Sequence, residues 1–91
     1  MTTLYQIRAS LEDARALNRA GDFLNAARIA LATQRMAARS RSRFAQDIGA
    51  RAHAIAVGAL CNASDADQAT RSELGRIRAK SQFRYNGFRR A

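Results

Sequence analysis

Residues 23–60 keep a single helical period. Phe23, Ala27, Ala30, Ala37, Phe44, Ile48, Ala52, Ile55 and Ala59 fall on one side of a helix. Arg28, Arg35, Arg39 and Arg43 fall on the other, and Arg41 is the one clear exception. No Gly or Pro interrupts the run before Gly49, so helix can propagate through the serines of RSRSR at small cost. The spacing predicts a long central helix with an apolar ridge and an arginine ridge. Length opposes this: about 38 residues at 1.5 Å each would reach roughly 57 Å, far beyond the diameter of a folded chain of this size. A bend near residues 40–42, or a partner covering the overhang, reconciles the two.

The flanks supply stops and starts. Thr2 or Thr3 can cap a first helix whose face runs through Leu4, Ile7, Leu11, Ala14 and Asn18, widened by Leu17, and which ends near Ala20. Gly21 can take a left-handed stop and Asp22 can cap the next helix, so the first two helices should form a hairpin. The segment AGDFLNAARIAL resembles the turn and second-helix opening of a tetratricopeptide repeat, with Gly21, Asp22, Phe23 and Ala26 at the matching places. Ser10, Asp13 and Thr33 depart from that pattern, and the chain has neither its closing proline nor a second copy. The resemblance implies a helical hairpin and carries no function.

Beyond Phe44, the small residues Ala45, Gly49, Ala52, Ala56 and Ala59 line one side, where helix backbones can approach closely. This face is expected to be a packing or protein-interface surface, self-association included. In CNASDAD, Ser64 or Asp65 can cap a third helix over residues 66 to about 85, with Asp67 favourably placed in its first turn. The apolar face of that helix, Ala66, Thr70, Leu74, Ile77 and Ser81, is weak, and Gly75 interrupts it. Asn86-Gly87 is expected to stop any helix. The overall expectation is an all-α domain over residues 1–80, a hairpin plus a third helix organised on the central one, with a basic aromatic tail at 81–91. The absence of Pro and Trp and the Ala-rich hydrophobic fraction of 47 % agree with helices and disfavour an all-β fold.

A formal charge of +9 on 91 residues is self-repulsive until an anionic partner neutralises part of it. Nucleic acid, RNA or DNA, is the expected partner. Fifteen of the sixteen basic residues are Arg, which suits bidentate phosphate contact and is equally what a GC-rich genome would write. The phosphate-contact candidates are Arg28, Arg35, Arg39, Arg41 and Arg43, then Arg76, Arg78, Lys80, Arg84, Arg89 and Arg90. Tyr85, with Phe83 and Phe88, adds rings that could stack on bases or cover a thin core. Neither turn leads into a short recognition helix, so backbone or shape binding is expected rather than sequence-specific readout. The alternative is a helical interaction module docking on an acidic protein surface.

Catalysis has little to draw on. His53 and Cys61 are roughly 12 Å apart along a helix and cannot share a proton. The lone Cys61 excludes a disulfide and a paired-cysteine zinc site, and Asp65, Asp67 and Glu73 supply too few ligands for a metal. No catalytic residue, metal or cofactor is expected. The charged first dozen residues lack an apolar signal core, and the most apolar run, residues 52–61, is too short for a bilayer and contains His53. A reducing, cytoplasmic setting without membrane contact is the expectation.

Overall fold

The computed structural model describes residues 3–90, and side chains as far as Phe88. Its four helices are, in order, α1 (Leu4–Arg19), α2 (Phe23–Ala38), α3 (Arg43–Asn62) and α4 (Gln68–Arg90). Thr3 starts α1 with a capping box: its hydroxyl accepts from the Gln6 amide at 3.2 Å, and the Gln6 side chain accepts from the Thr3 amide at 2.8 Å. Gly21 has φ +85°, the left-handed conformation that ends α1 and reverses the chain. Asp22 occupies the start of α2 but caps no backbone amide; its carboxylate accepts from the Asn25 side chain at 2.9 Å.

The long central helix is two helices. Residues 39–42 are not helical, and the Ser42 hydroxyl accepts from the Phe44 amide at 3.2 Å to start α3 afresh. The physical reason is the length conflict. An unbroken rod would outrun the 38 Å long dimension of the molecule, whereas folding α3 back on α2 buries the apolar ridges of both. The break also shifts the helical phase. Ala37 and Ile48 stay in the core, but Phe44 is 64 % exposed, contrary to its place on the expected ridge.

The third turn also differs from expectation. α3 ends at Asn62, and Asp67, not Ser64 or Asp65, begins α4 by accepting from the Thr70 amide at 2.7 Å. Hydrogen bonds from the Thr70 side chain and then its amide hold the Asp67 carboxyl below its ordinary value. α4 then continues through Asn86 and Gly87 to Arg90, so the segment expected to be a tail forms its last turns. Tertiary contact outweighs the local stop signal, because Ser81 is fully buried and Phe88 packs into the core beside Gly49 and Ala37.

α2 and α3 form the middle of the bundle; α1 and α4 each pack on both and do not meet one another. One cluster joins Ile7, Leu11 and Ala14 of α1 to Ala26, Ala30, Ile48, Ala52 and Ile55. A second joins Ala27, Leu31 and Ala59 to Leu74 and Ile77 of α4. Between α1 and α2, Ser10 and Thr33 share a hydroxyl hydrogen bond of 2.6 Å, and Thr33 also donates to the Ile29 carbonyl at 2.8 Å.

Candidate nucleic-acid interface

The cross-helix pairings fix the direction of every helix. Arg28 meets Glu73 and Gln34 meets Ser81, so α2 and α4 run the same way. Gly49 lies against Phe88 and His53 against Ser81, so α3 runs opposite to α4. The tight Gly21 turn and the Ser10–Thr33 bond make α1 antiparallel to α2. One end of the bundle therefore gathers the start of α1, the α2–α3 break and the last turns of α4. The other gathers the turns that carry Asp22, Asp65 and Asp67.

This topology sorts the charge. Arg35, Arg39, Arg41, Arg43 and Lys80 are exposed, and Arg84 is half-buried, all toward the first end. Arg8, which no sequence pattern singled out, is exposed on the second turn of α1 at that end. Glu12, one turn further along α1, pairs with Arg15, and Asp47 on α3 pairs with Arg51 at 3.3 Å. The exposed large apolar side chains among the described residues gather there too: Tyr5 and Phe83, each 80 % exposed, and Phe44. The break in RSRSR was the signal that could have found Phe44, because a new helix start there removes it from the ridge.

Two clefts adjoin at Phe83 and Arg84. One, about 350 Å³, lies between α2 and α4 and is lined by Arg35, Ala79 and Lys80 together with that pair. The other, about 300 Å³, is walled by Ala37 and Ala38 on one side and by Gly87 and Phe88 on the other, with Ser40 and Gln46 at its rim. No acidic residue lines either cleft. Arg76, Lys80 and Arg84 recur at intervals of four along α4, so they lie on one side of that helix.

Other predicted contacts are placed elsewhere. Arg28 lies toward the far end and donates to Glu73 at 2.7 Å, so its guanidinium is already occupied. Tyr85 stacks on His53 with ring centroids 4.6 Å apart, which assigns that ring to the fold rather than to a base. Arg76 and Arg78 are exposed midway along α4. Arg89 and Arg90 belong to the last turn of α4, and their side chains lie outside the described residues. Ala45, Gly49, Ala52, Ala56 and Ala59 are buried within the one chain, so the expected interface face is closed to a second chain.

Behind this end sits a buried polar cluster that the sequence did not reveal. His53 Nδ1 and Ser81 Oγ share a hydrogen bond of 2.8 Å, and the Gln34 side chain donates to the Ser81 carbonyl at 3.2 Å. Burial pushes the His53 imidazole below its ordinary value; a Gln82 side-chain hydrogen bond opposes this, and the positive Arg78 adds to it. The cluster ties α2, α3 and α4 together, and its enclosure gives the Ser–His pair no open approach for a substrate.

Among the described residues no helix is long and apolar enough to cross a membrane. No family model matches the chain, and comparison with curated proteins and with solved structures found no match to either.

Proposed function

We propose that this is a non-enzymatic, cytoplasmic nucleic-acid-binding accessory protein, a subunit of a ribonucleoprotein or DNA complex, that grips phosphate backbones without reading sequence. The observation that carries this reading is the gathering of Arg35, Arg39, Arg41, Arg43, Lys80 and Arg84 at one end of the bundle with exposed aromatics among them. Their acidic counterparts Asp22, Asp65 and Asp67 lie at the other end. Like charges held this close raise the energy of the free protein, and a polyanion relieves that repulsion while releasing its own counterions. Arg supplies planar, bidentate donors for phosphate.

The test is a titration against single-stranded and duplex nucleic acid at several salt concentrations. Changing Arg35, Arg39 and Arg43 to Gln should weaken binding to all sequences alike and flatten the logarithmic salt dependence by about two to three units. Equal affinity of the wild type and the triple variant at moderate salt rejects phosphate contact through these residues. A second reading, docking on an acidic protein surface, is supported by exposed Tyr5 and Phe44, which lie outside both clefts and could meet an apolar patch on a partner.

A further inference from the structure

We infer that the paired clefts that share Phe83 and Arg84 form a site for one unpaired nucleotide of a single strand, with the base in the slot lined by Ala38, Gly87 and Phe88 and its phosphate in the neighbouring cleft beside Arg35, Lys80 and Arg84. This rests on the nucleic-acid reading and narrows it from any phosphate backbone to one with accessible base faces. The clefts differ in chemistry as the two parts of a nucleotide do. The slot is lined by Ala38, Gly87 and Phe88, apolar surface that a base would cover, over the fully buried Ala37, and Phe83 also lines it with most of its surface in solvent. Ser40 and Gln46 at the rim can exchange hydrogen bonds with a base edge, and being adaptable they impose little preference among bases. The neighbouring cleft presents cationic side chains with no carboxylate among them, which fits a phosphate.

Size and connection agree. Volumes of about 300 and 350 Å³ lie at the small end of the roughly 300–1,000 Å³ range of small-molecule sites. Because both are lined by Phe83 and Arg84, a ligand can pass from one to the other without crossing the core. A base within a duplex is stacked on both faces and cannot enter the slot. An extended strand can offer one base to the slot and run its backbone on past the α2–α3 break, where Arg39, Arg41 and Arg43 lie.

Gly87 provides a probe that leaves charge untouched. A Cβ there meets nothing within 4 Å, so Gly87→Leu is tolerated by the fold, improves helix propensity and adds bulk to the lining of the slot. The experiment measures affinity for oligo(dT) and for an abasic strand of equal length, using wild type, Gly87→Leu and Phe83→Ala. Wild type should bind oligo(dT) about tenfold more tightly than the abasic strand, the scale of one stacked base. Both variants should bring oligo(dT) down to the abasic level while leaving abasic affinity and salt dependence unchanged. Equal wild-type affinity for the two strands, or a Gly87→Leu protein that keeps the preference, overturns the slot and leaves backbone binding standing. Absence of binding to either strand at moderate salt overturns both readings.

Discussion

Gly49 lies so close to Phe88 that a methyl group built on it would come within 2.6 Å of the ring atoms Cε2 and Cζ. The same methyl would sit 3.3 Å from the Ala37 side chain, so α2, α3 and the end of α4 converge on one missing Cβ. Gly49→Ala gains about 1 kcal/mol of helix propensity, yet it must drive Phe88 from its place. We expect a net loss of about 1–2 kcal/mol from overpacking. In a Phe88→Ala background the sign should reverse, with Gly49→Ala stabilising by up to about 0.5–1 kcal/mol as propensity outweighs the remaining contact with Ala37. Chemical denaturation of the four proteins decides it, and a loss that persists without Phe88 would put the obstacle elsewhere.

The small-residue face yields a second expectation. Ala52 is fully buried within the chain, so Ala52→Leu should cost about 1–3 kcal/mol by overpacking without altering the oligomeric state. Denaturation and sedimentation together check it; a change in association with stability intact would return the face to an inter-chain role.

His53 makes stability depend on pH. Its ordinary value is 6.5 and burial lowers it in the folded protein, so the unfolded chain binds more protons over the window just below 6.5. The neutral ring's contribution is therefore complete above that window and is lost as pH falls through it. The Gln82 side-chain hydrogen bond offsets this in part, Arg78 on the same helix discourages protonation further, and Gln34 on α2 brings no charge to the cluster. Thermal melts between pH 8 and 5 should decline toward the acid side in wild type and flatten in His53→Gln. A wild-type decline that survives the substitution would assign it to the carboxylates.

Arg28 and Arg35 separate stability from binding. Arg28→Gln should cost up to about 1 kcal/mol, the scale of an exposed ion pair, and leave the salt dependence of nucleic-acid binding unchanged, because Glu73 already occupies its guanidinium. Arg35→Gln should do the opposite, reducing the salt slope by about one unit. Paired melts and titrations distinguish them, and equal effects of the two substitutions on binding would refute the division of the ridge.

Much of the fold was legible because periodicity and caps are local. Ile7, Leu11 and Ala14 in α1, Leu74, Ile77 and Ser81 in α4, and the left-handed Gly21 all lie where spacing puts them. The break at residues 39–42 was less so, since no strong helix breaker marks it and only the competition between local propagation and collapse decides it. The helix through Asn86-Gly87 was hidden for the converse reason: Phe88 reaches a gap that Gly49 leaves on another helix. Ser10 and Thr33, separate departures from the repeat they resemble, are one hydrogen bond. The basic candidates were readable by residue type, but their division was not. Whether Arg28 faces Glu73 or Tyr85 faces His53 depends on which helices become neighbours.

The sorting of charge by the helix directions also has a kinetic consequence. α4 alone spans roughly 34 Å at 1.5 Å per residue, close to the full 38 Å long dimension, so the basic end and the opposite pole, where Asp22, Asp65 and Asp67 offset Arg19 and Arg71, are about as far apart as the molecule allows. Helices of alternating direction present ends of both signs at each pole, so their macrodipoles largely cancel and side chains set the field. The protein is thus an electric dipole carrying a net positive charge, and a polyanion exerts a torque on it as well as a pull. If nucleic acid is the partner, encounters would begin with the basic end already turned toward it, and added salt would slow the rate of capture as well as loosen the contacts made.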